Sequence, residues 1–129
     1  MEKQLPNKEA AVVEDKKIKE YLLNKAHPAG AGKAKFFLSK GFNLGTISWF
    51  RSMLIAHGID NPVVKIETNP FTTKYIIEGP AYNYYTVIPH ESKWGLMGYT
   101  YQPTKFNLRT VWSIENGTNI PKLVTAYPI

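Results

Sequence analysis

Apolar residues recur at helical spacing in the first half of the chain and alternate at strand spacing in the second. Ile18, Tyr21 and Leu22 keep the i, i+3, i+4 rule and predict a helix over 14–25. Pro28 and Gly30 end it, because proline has no amide donor and disfavours helical geometry in the residue before it. A second helix is predicted over 32–40, with Ala34, Phe37 and Leu38 facing inward and Gly41 just past its end. A third covers 46–57, where Ile47, Phe50 and Leu54 align, Trp49 and Met53 widen the stripe, and Gly58 stops the run.

The stretches "VVKIET", "FTTKYIIEG", "YNYYTVI", "FNLRTVWSIE" and "KLVTAYPI" are rich in β-branched and aromatic residues. Asn-Pro, Gly-Pro and Asn-Gly separate them, so they read as antiparallel strands, the last two joined by a turn at Asn116-Gly117. Helices followed by strands give an α+β class: about three N-terminal helices packed on one face of a mainly antiparallel sheet of four to five strands. Residues 1–12 are polar and aperiodic and read as a flexible arm, leaving 13–129 as a single α+β domain. The segment 90–105, "HESKWGLMGYTYQPTK", fits neither period and reads as a long loop, with Trp94, Met97 and Tyr99 either capping the core or forming an exposed platform.

A length of 129 residues agrees with one domain, and 43% hydrophobic against 20% charged residues is a globular composition. The absence of cysteine excludes disulfides, thiolate metal sites and a cysteine nucleophile. No apolar run has the length of a signal or a membrane span, so the expectation is a soluble cytoplasmic protein with no membrane partner. The net charge of +6 is unevenly placed. Between Glu20 and Asp60 every charged residue is basic, and a second acid-free interval runs from Lys93 through Lys105 and Arg109 to Trp112. Basic stretches of this kind point to polyanionic partners.

The stretch "HPAGAGKAKFF", 27–37, contains "GAGK" yet is no nucleotide loop: the first-glycine position holds His27, the hydroxyl position holds Ala34, and a helix precedes it. It reads either as a plain helix-helix connector or as an anion site, with Gly32 at a helix start and Lys33 and Lys35 adding charge. His27, beside a proline on this loop, is placed to act as a general base or acid. His57 is expected to be favoured by a helix C-terminus, and His90 has no evident partner. The three histidines do not have metal-site spacing. Near the end of the chain, Arg109 and Thr110 could offer a guanidinium and a hydroxyl to a phosphate, with Lys122, Thr125 and Tyr127 on the next strand within reach.

The blocks "YLLNKAHPAGAGKAKFFLSKGF" and "LRTVWSIENGTNIPKLVTAYPI" resemble the two signature blocks of an uncharacterised bacterial domain family, written LNxxHPxGxxKAxFF and RTVW…PxLVTAYP. The resemblance covers both ends of the domain. It implies a toxin-like effector accompanied by an antitoxin-like or immunity protein. The element order also resembles the barnase and RelE class of ribonucleases, which implies RNA as substrate and a metal-independent endoribonuclease without cofactor. In that reading His27 is base or acid, Lys33 and Arg109 stabilise charge, Thr110 or Tyr127 donates hydrogen bonds, and Gly32, Lys35, Lys122 and Tyr127 assist phosphate binding. The alternative is a non-catalytic module that binds nucleic acid or protein through the basic loop and the aromatic segments "YNYY" and "WGLMGYTY".

Overall fold

The strand half of the chain folds as a meander in sequence order, β1 (Val63–Thr68), β2 (Thr72–Glu91), β3 (Met97–Glu115) and β4 (Lys122–Pro128), with every neighbouring pair antiparallel. These elements come from a computed structural model that describes residues 3–28, 30–91 and 97–129, with side chains described outside 84–103. The helical half supplies α1 (Asp15–Lys17), which continues as a π-helical turn (Ile18–Leu22), then α2 (Ala31–Ser39) and α3 (Ile47–Asp60). This is the α+β class expected, with three helices and four strands among the described residues.

Two expected strands, "FTTKYIIEG" and "YNYYTVI", are halves of the single strand β2. Gly79-Pro80 does not turn the chain there, because β1 reaches only to the pair Val63 and Ile77 and no outer ladder bond needs the amide that proline lacks. The same holds for the segment expected as a long loop. Residues 90 and 91 belong to β2 and 97–105 to β3, whose Pro103 lies beyond the reach of β4, since the β4 pairs run from Leu108 to Ser113. Past Pro80 and Asn107 the two strands continue as a two-stranded ribbon to the pair Glu91 and Met97. Trp94 and the side chains of Tyr84, Tyr85, Met97 and Tyr99 lie outside what is described.

The core lies between α3 and one face of this sheet. Phe50, Met53, Leu54, His57 and Gly58 form the buried stripe of α3, at the spacing a core-facing helix requires. Opposite them lie Ile77 of β2, Leu108, Thr110 and Trp112 of β3, and Leu123 and Ala126 of β4. Phe50 joins Phe37 at 4.8 Å and Phe42 at 4.9 Å between ring centres, aromatic contacts worth about 0.5–1.5 kcal/mol each beyond their buried area. The 3-10 turn that leads into α3 (Leu44–Thr46) starts at a capping box: Asn43 Oδ1 accepts from the Gly45 amide at 2.7 Å while Thr46 Oγ1 accepts from the Asn43 amide at 2.9 Å.

Gly58 does not stop α3, which runs two residues further. It is a packing glycine, since a Cβ there would stand 2.9 Å from Cζ2 of the buried Trp112 indole. Residues 3–12 run along the domain. Leu5 is buried, the Val63 amide donates to the Lys3 carbonyl at 2.8 Å, and Val12 forms a parallel bridge with Lys122. That bridge covers part of the open edge of β4. Among the described residues no helix is long and apolar enough to cross a membrane.

Candidate functional site

Side chains alternate along a strand, so the face of the sheet opposite the core collects Glu78 of β2, Arg109 of β3, and Thr125 and Tyr127 of β4. The register places Glu78 across from Arg109 and Arg109 across from Tyr127, which makes these three a row over three adjacent strands. The Arg109 guanidinium forms an ion pair with Glu78 and donates from Nη1 to the Tyr127 hydroxyl at 3.0 Å, with its Cζ 5.5 Å from the Tyr127 ring centre. The phenol and the carboxylate together raise the pKa of Arg109 above its ordinary value, the Tyr127 hydrogen bond contributing most.

The helices supply the other half of the group at the β4 edge. Lys33, in the first turn of α2, donates from Nζ to the Tyr21 hydroxyl and to Thr125 Oγ1, the latter at 3.0 Å. Its ammonium is 4.7 Å from the ring centre of Tyr21 and 5.5 Å from that of Tyr127. Tyr127 therefore has Lys33 and Arg109 within cation-π distance, one from each end of the chain. The π-helical turn aims Tyr21. Its defining bond runs from the Leu23 amide to the Ile18 carbonyl at 2.9 Å, and such turns are rare and concentrate at functional sites. The hydrogen bond from Lys33 lowers the pKa of Tyr21, against an opposing effect of burial, and Thr125 and Lys17 act in the same direction as Lys33.

His27 joins this group through Tyr21: the two rings meet edge to face at 4.9 Å. Its Nδ1 accepts from the Gly30 amide at 3.2 Å, so the ring proton sits on Nε2. The loop can turn this tightly only with glycine at position 30, where a Cβ would lie 2.6 Å from the Tyr21 carbonyl oxygen. Two of the amides that a helix start would offer an anion, those of Gly30 and Ala31, donate instead to the His27 carbonyl, at 3.1 and 3.0 Å. A depression of about 340 Å³ opens beside His27 and Tyr21, walled by Glu14, Lys16, Lys17 and Glu20.

Of the residues expected from sequence, His27, Lys33, Arg109 and Tyr127 are thus brought into one connected set. Gly32 and Lys35 are exposed in the first half of α2, and Lys122 pairs with Glu14 at 3.7 Å. Thr110 is elsewhere. It is fully buried on the core face of β3, where its Oγ1 accepts from Trp112 Nε1 at 2.9 Å and meets His57 Nδ1 at 2.8 Å. His57 Nε2 in turn lies 2.9 Å from the Leu108 carbonyl and 3.2 Å from that of Gly79, which makes Nε2 the protonated nitrogen and Nδ1 the acceptor for Thr110. His57 was expected to respond to a helix terminus; it is instead a core residue whose burial lowers its pKa.

Sequence reading assigned no site role to Tyr21 or Glu78. Tyr21 sits on an apolar helical stripe, and its one local signal is Lys17 four residues earlier, whose ammonium is 5.4 Å from its ring centre. Glu78 becomes informative only through strand register. Among the described residues no cluster of three or more His, Asp or Glu could hold a metal ion.

No curated protein and no solved structure matches the chain. A family model does match, over residues 4–87, a span that contains Tyr21, His27, Lys33 and Glu78 and ends before Arg109 and Tyr127. By that match the chain belongs to the family described as DUF6883, a domain of unknown function.

Proposed function

We propose that this domain binds the phosphodiester backbone of RNA across the Lys33–Tyr127–Arg109 face and cleaves it with protein side chains alone. The observation that carries the reading is that Lys33 and Arg109 flank one phenol, Tyr127, each 5.5 Å from its ring centre, with Glu78 and Tyr21 at the two ends of the set. Two cations beside hydroxyl donors suit the charge that builds on a phosphoryl group under attack. Glu78 is the carboxylate that accepts the ribose 2′-hydroxyl proton as that oxygen attacks phosphorus. Lys33 and Arg109 stabilise the negative charge, and His27 stands edge to face with Tyr21 as a further acid or base of the set. Tyr21, whose proton Lys33 already loosens, protonates the departing 5′-oxygen. The products are a 2′,3′-cyclic phosphate and a 5′-hydroxyl. The kinship with barnase and RelE type ribonucleases, and an antitoxin-like or immunity partner covering this cationic face, belong to the same proposal.

The test is RNA cleavage in EDTA. Lys33→Ala, Arg109→Ala, Glu78→Gln and Tyr21→Phe are each expected to lower the rate by about 10²-fold or more, and His27→Ala by less. Wild-type rates in all five variants would overturn the mechanism. Binding of RNA without any turnover would establish the non-catalytic module in its place, and that binding would weaken steeply with salt.

A further inference from the structure

The two outer edges of the sheet are treated differently. Val12 bridges to Lys122 along β4, whereas on β1 the Lys3 carbonyl meets the edge at the Val63 amide, and among the described residues no backbone hydrogen bond from outside the sheet reaches 64–68. The Asn69 amide donates to the Thr72 carbonyl at 3.0 Å, which makes these two a hydrogen-bonded pair. Such pairs alternate along an antiparallel ladder, so Lys65 and Glu67 turn their backbone groups toward β2 while Ile66 and Thr68 turn theirs outward. All five side chains of 64–68 are exposed, among them Val64 and Ile66, and Phe71 at the turn that follows is 78% exposed. An outer edge in this state is a template for a further strand.

We infer that β1 is the seam of a homodimer, pairing antiparallel with β1 of a second copy about a two-fold axis at Ile66. The charges choose both the occupant and the register. Lys65 and Glu67 lie on one face of the strand, 3.2 Å apart, with side chains 65% and 50% exposed. When Ile66 stands opposite Ile66 of the second copy, Lys65 faces Glu67 of that copy and Glu67 faces its Lys65. A slip of two residues in one direction sets Lys65 against Lys65, and in the other Glu67 against Glu67, both repelled. A slip of one residue sets outward backbone groups against inward ones. Lys74, across from Glu67 on β2, is common to every register and does not choose among them. Lysine on an edge strand ordinarily repels a neighbour; Glu67 two residues on converts that repulsion into attraction for a strand of the same sequence.

On the other face Ile66 meets Ile66, and Val64, at the bulge between Val63 and Lys65, comes beside Thr68, so apolar groups exposed in one copy are covered in two. The two four-stranded sheets become one, with the helices of both copies on one side and both Glu78–Arg109–Tyr127 rows on the other. The seam is short, so the dimer forms and dissociates with concentration. It does not rest on the RNA reading.

Sedimentation equilibrium tests the seam. Wild type is expected to approach the dimer mass at high micromolar concentration. Lys65→Glu sets Glu against Glu twice across the axis and Glu67→Lys sets Lys against Lys, so each variant is expected to weaken the dimer at least about tenfold, with little change in the thermal midpoint of the monomer. An equimolar mixture of the two variants is expected to recover the dimer, because every facing pair is again opposite in sign. Within each variant strand the two charges remain alike, so this recovery can come only from contact between copies. A wild-type protein that stays monomeric, single variants that associate as wild type does, or a mixture no more associated than its components would each overturn the proposal, the first leaving the edge to a strand of a different protein.

Discussion

The cationic face and the buried network beneath it use the same kinds of residue to opposite ends. Each contains a histidine, a threonine and an aromatic side chain with a polar tip: His27, Thr125 and Tyr21 on one side of the sheet, His57, Thr110 and Trp112 on the other. In the core every polar tip is enclosed and partnered, as Trp112 donates to Thr110, Thr110 to His57, and His57 to backbone carbonyls. On the outer face the partners are charged, Lys33 and Arg109, and the groups are half-exposed. A sealed network fixes which side chains pack and cannot meet a substrate. An open one with surplus cations can change partners when an anion arrives.

Breaking the closed member of each pair should therefore cost stability, and breaking the open member should not. Thr110→Val keeps the shape of a buried side chain but leaves the Trp112 indole N–H and His57 Nδ1 without partners, a loss of about 2–5 kcal/mol by chemical denaturation. Thr125→Val, on the half-exposed outer face, is expected to change stability by less than about 1 kcal/mol. Similar losses in the two variants would show that the outer face is held together as the core is.

The buried histidine adds a dependence on pH to this contrast. Burial holds the pKa of His57 below its ordinary 6.5, so as pH falls past that value the unfolded chain takes up a proton that the folded protein refuses. The contribution to stability is whole above about pH 6.5 and falls below it, by at most about 1.4 kcal/mol per pH unit, until the folded-state pKa is reached. Denaturant midpoints measured between pH 8 and 5 should show this decline in wild type. A midpoint that does not fall over that range would show that burial does not hold His57 neutral.

Much of this arrangement was legible in the chain. The helical stripe from Phe50 to His57 and the alternation through Leu108, Arg109, Thr110 and Trp112 are local patterns that tertiary packing reinforced. Arg109 and Lys33 stood out because acidic residues are missing around them. What stayed hidden depends on register and approach. Glu78 faces Arg109 only because β2 and β3 pair with that offset, and β2 runs on through Gly79-Pro80 because β1 ends before it. Thr110 and Arg109 are adjacent in sequence, and neither residue type announces that one faces core and the other solvent. Gly58 read as a helix end because glycine usually is one, whereas here it is required by the indole it touches. The π-helical turn that aims Tyr21 leaves no trace in hydrophobic spacing.

The smallest expected effect tests the link on which the outer set depends. Lys33 donates to the Tyr21 hydroxyl, and that bond is the largest influence drawing the Tyr21 pKa below 10.0, while burial opposes it. The phenolate, once formed, would sit against an ammonium. An alkaline titration followed by the ultraviolet absorbance of tyrosine ionisation should therefore contain an early component that is absent from Tyr21→Phe. Lys33→Met removes both the hydrogen bond and the charge, so the early component should move up toward the ordinary value, leaving only Thr125 and Lys17 to oppose burial. Arg109→Met touches Tyr127 and Glu78 and does not contact Tyr21, so it should leave that component in place. If Arg109→Met shifts it as far as Lys33→Met does, the two cations act through a common field and the contact between Lys33 and Tyr21 is not what prepares the phenol to give up its proton.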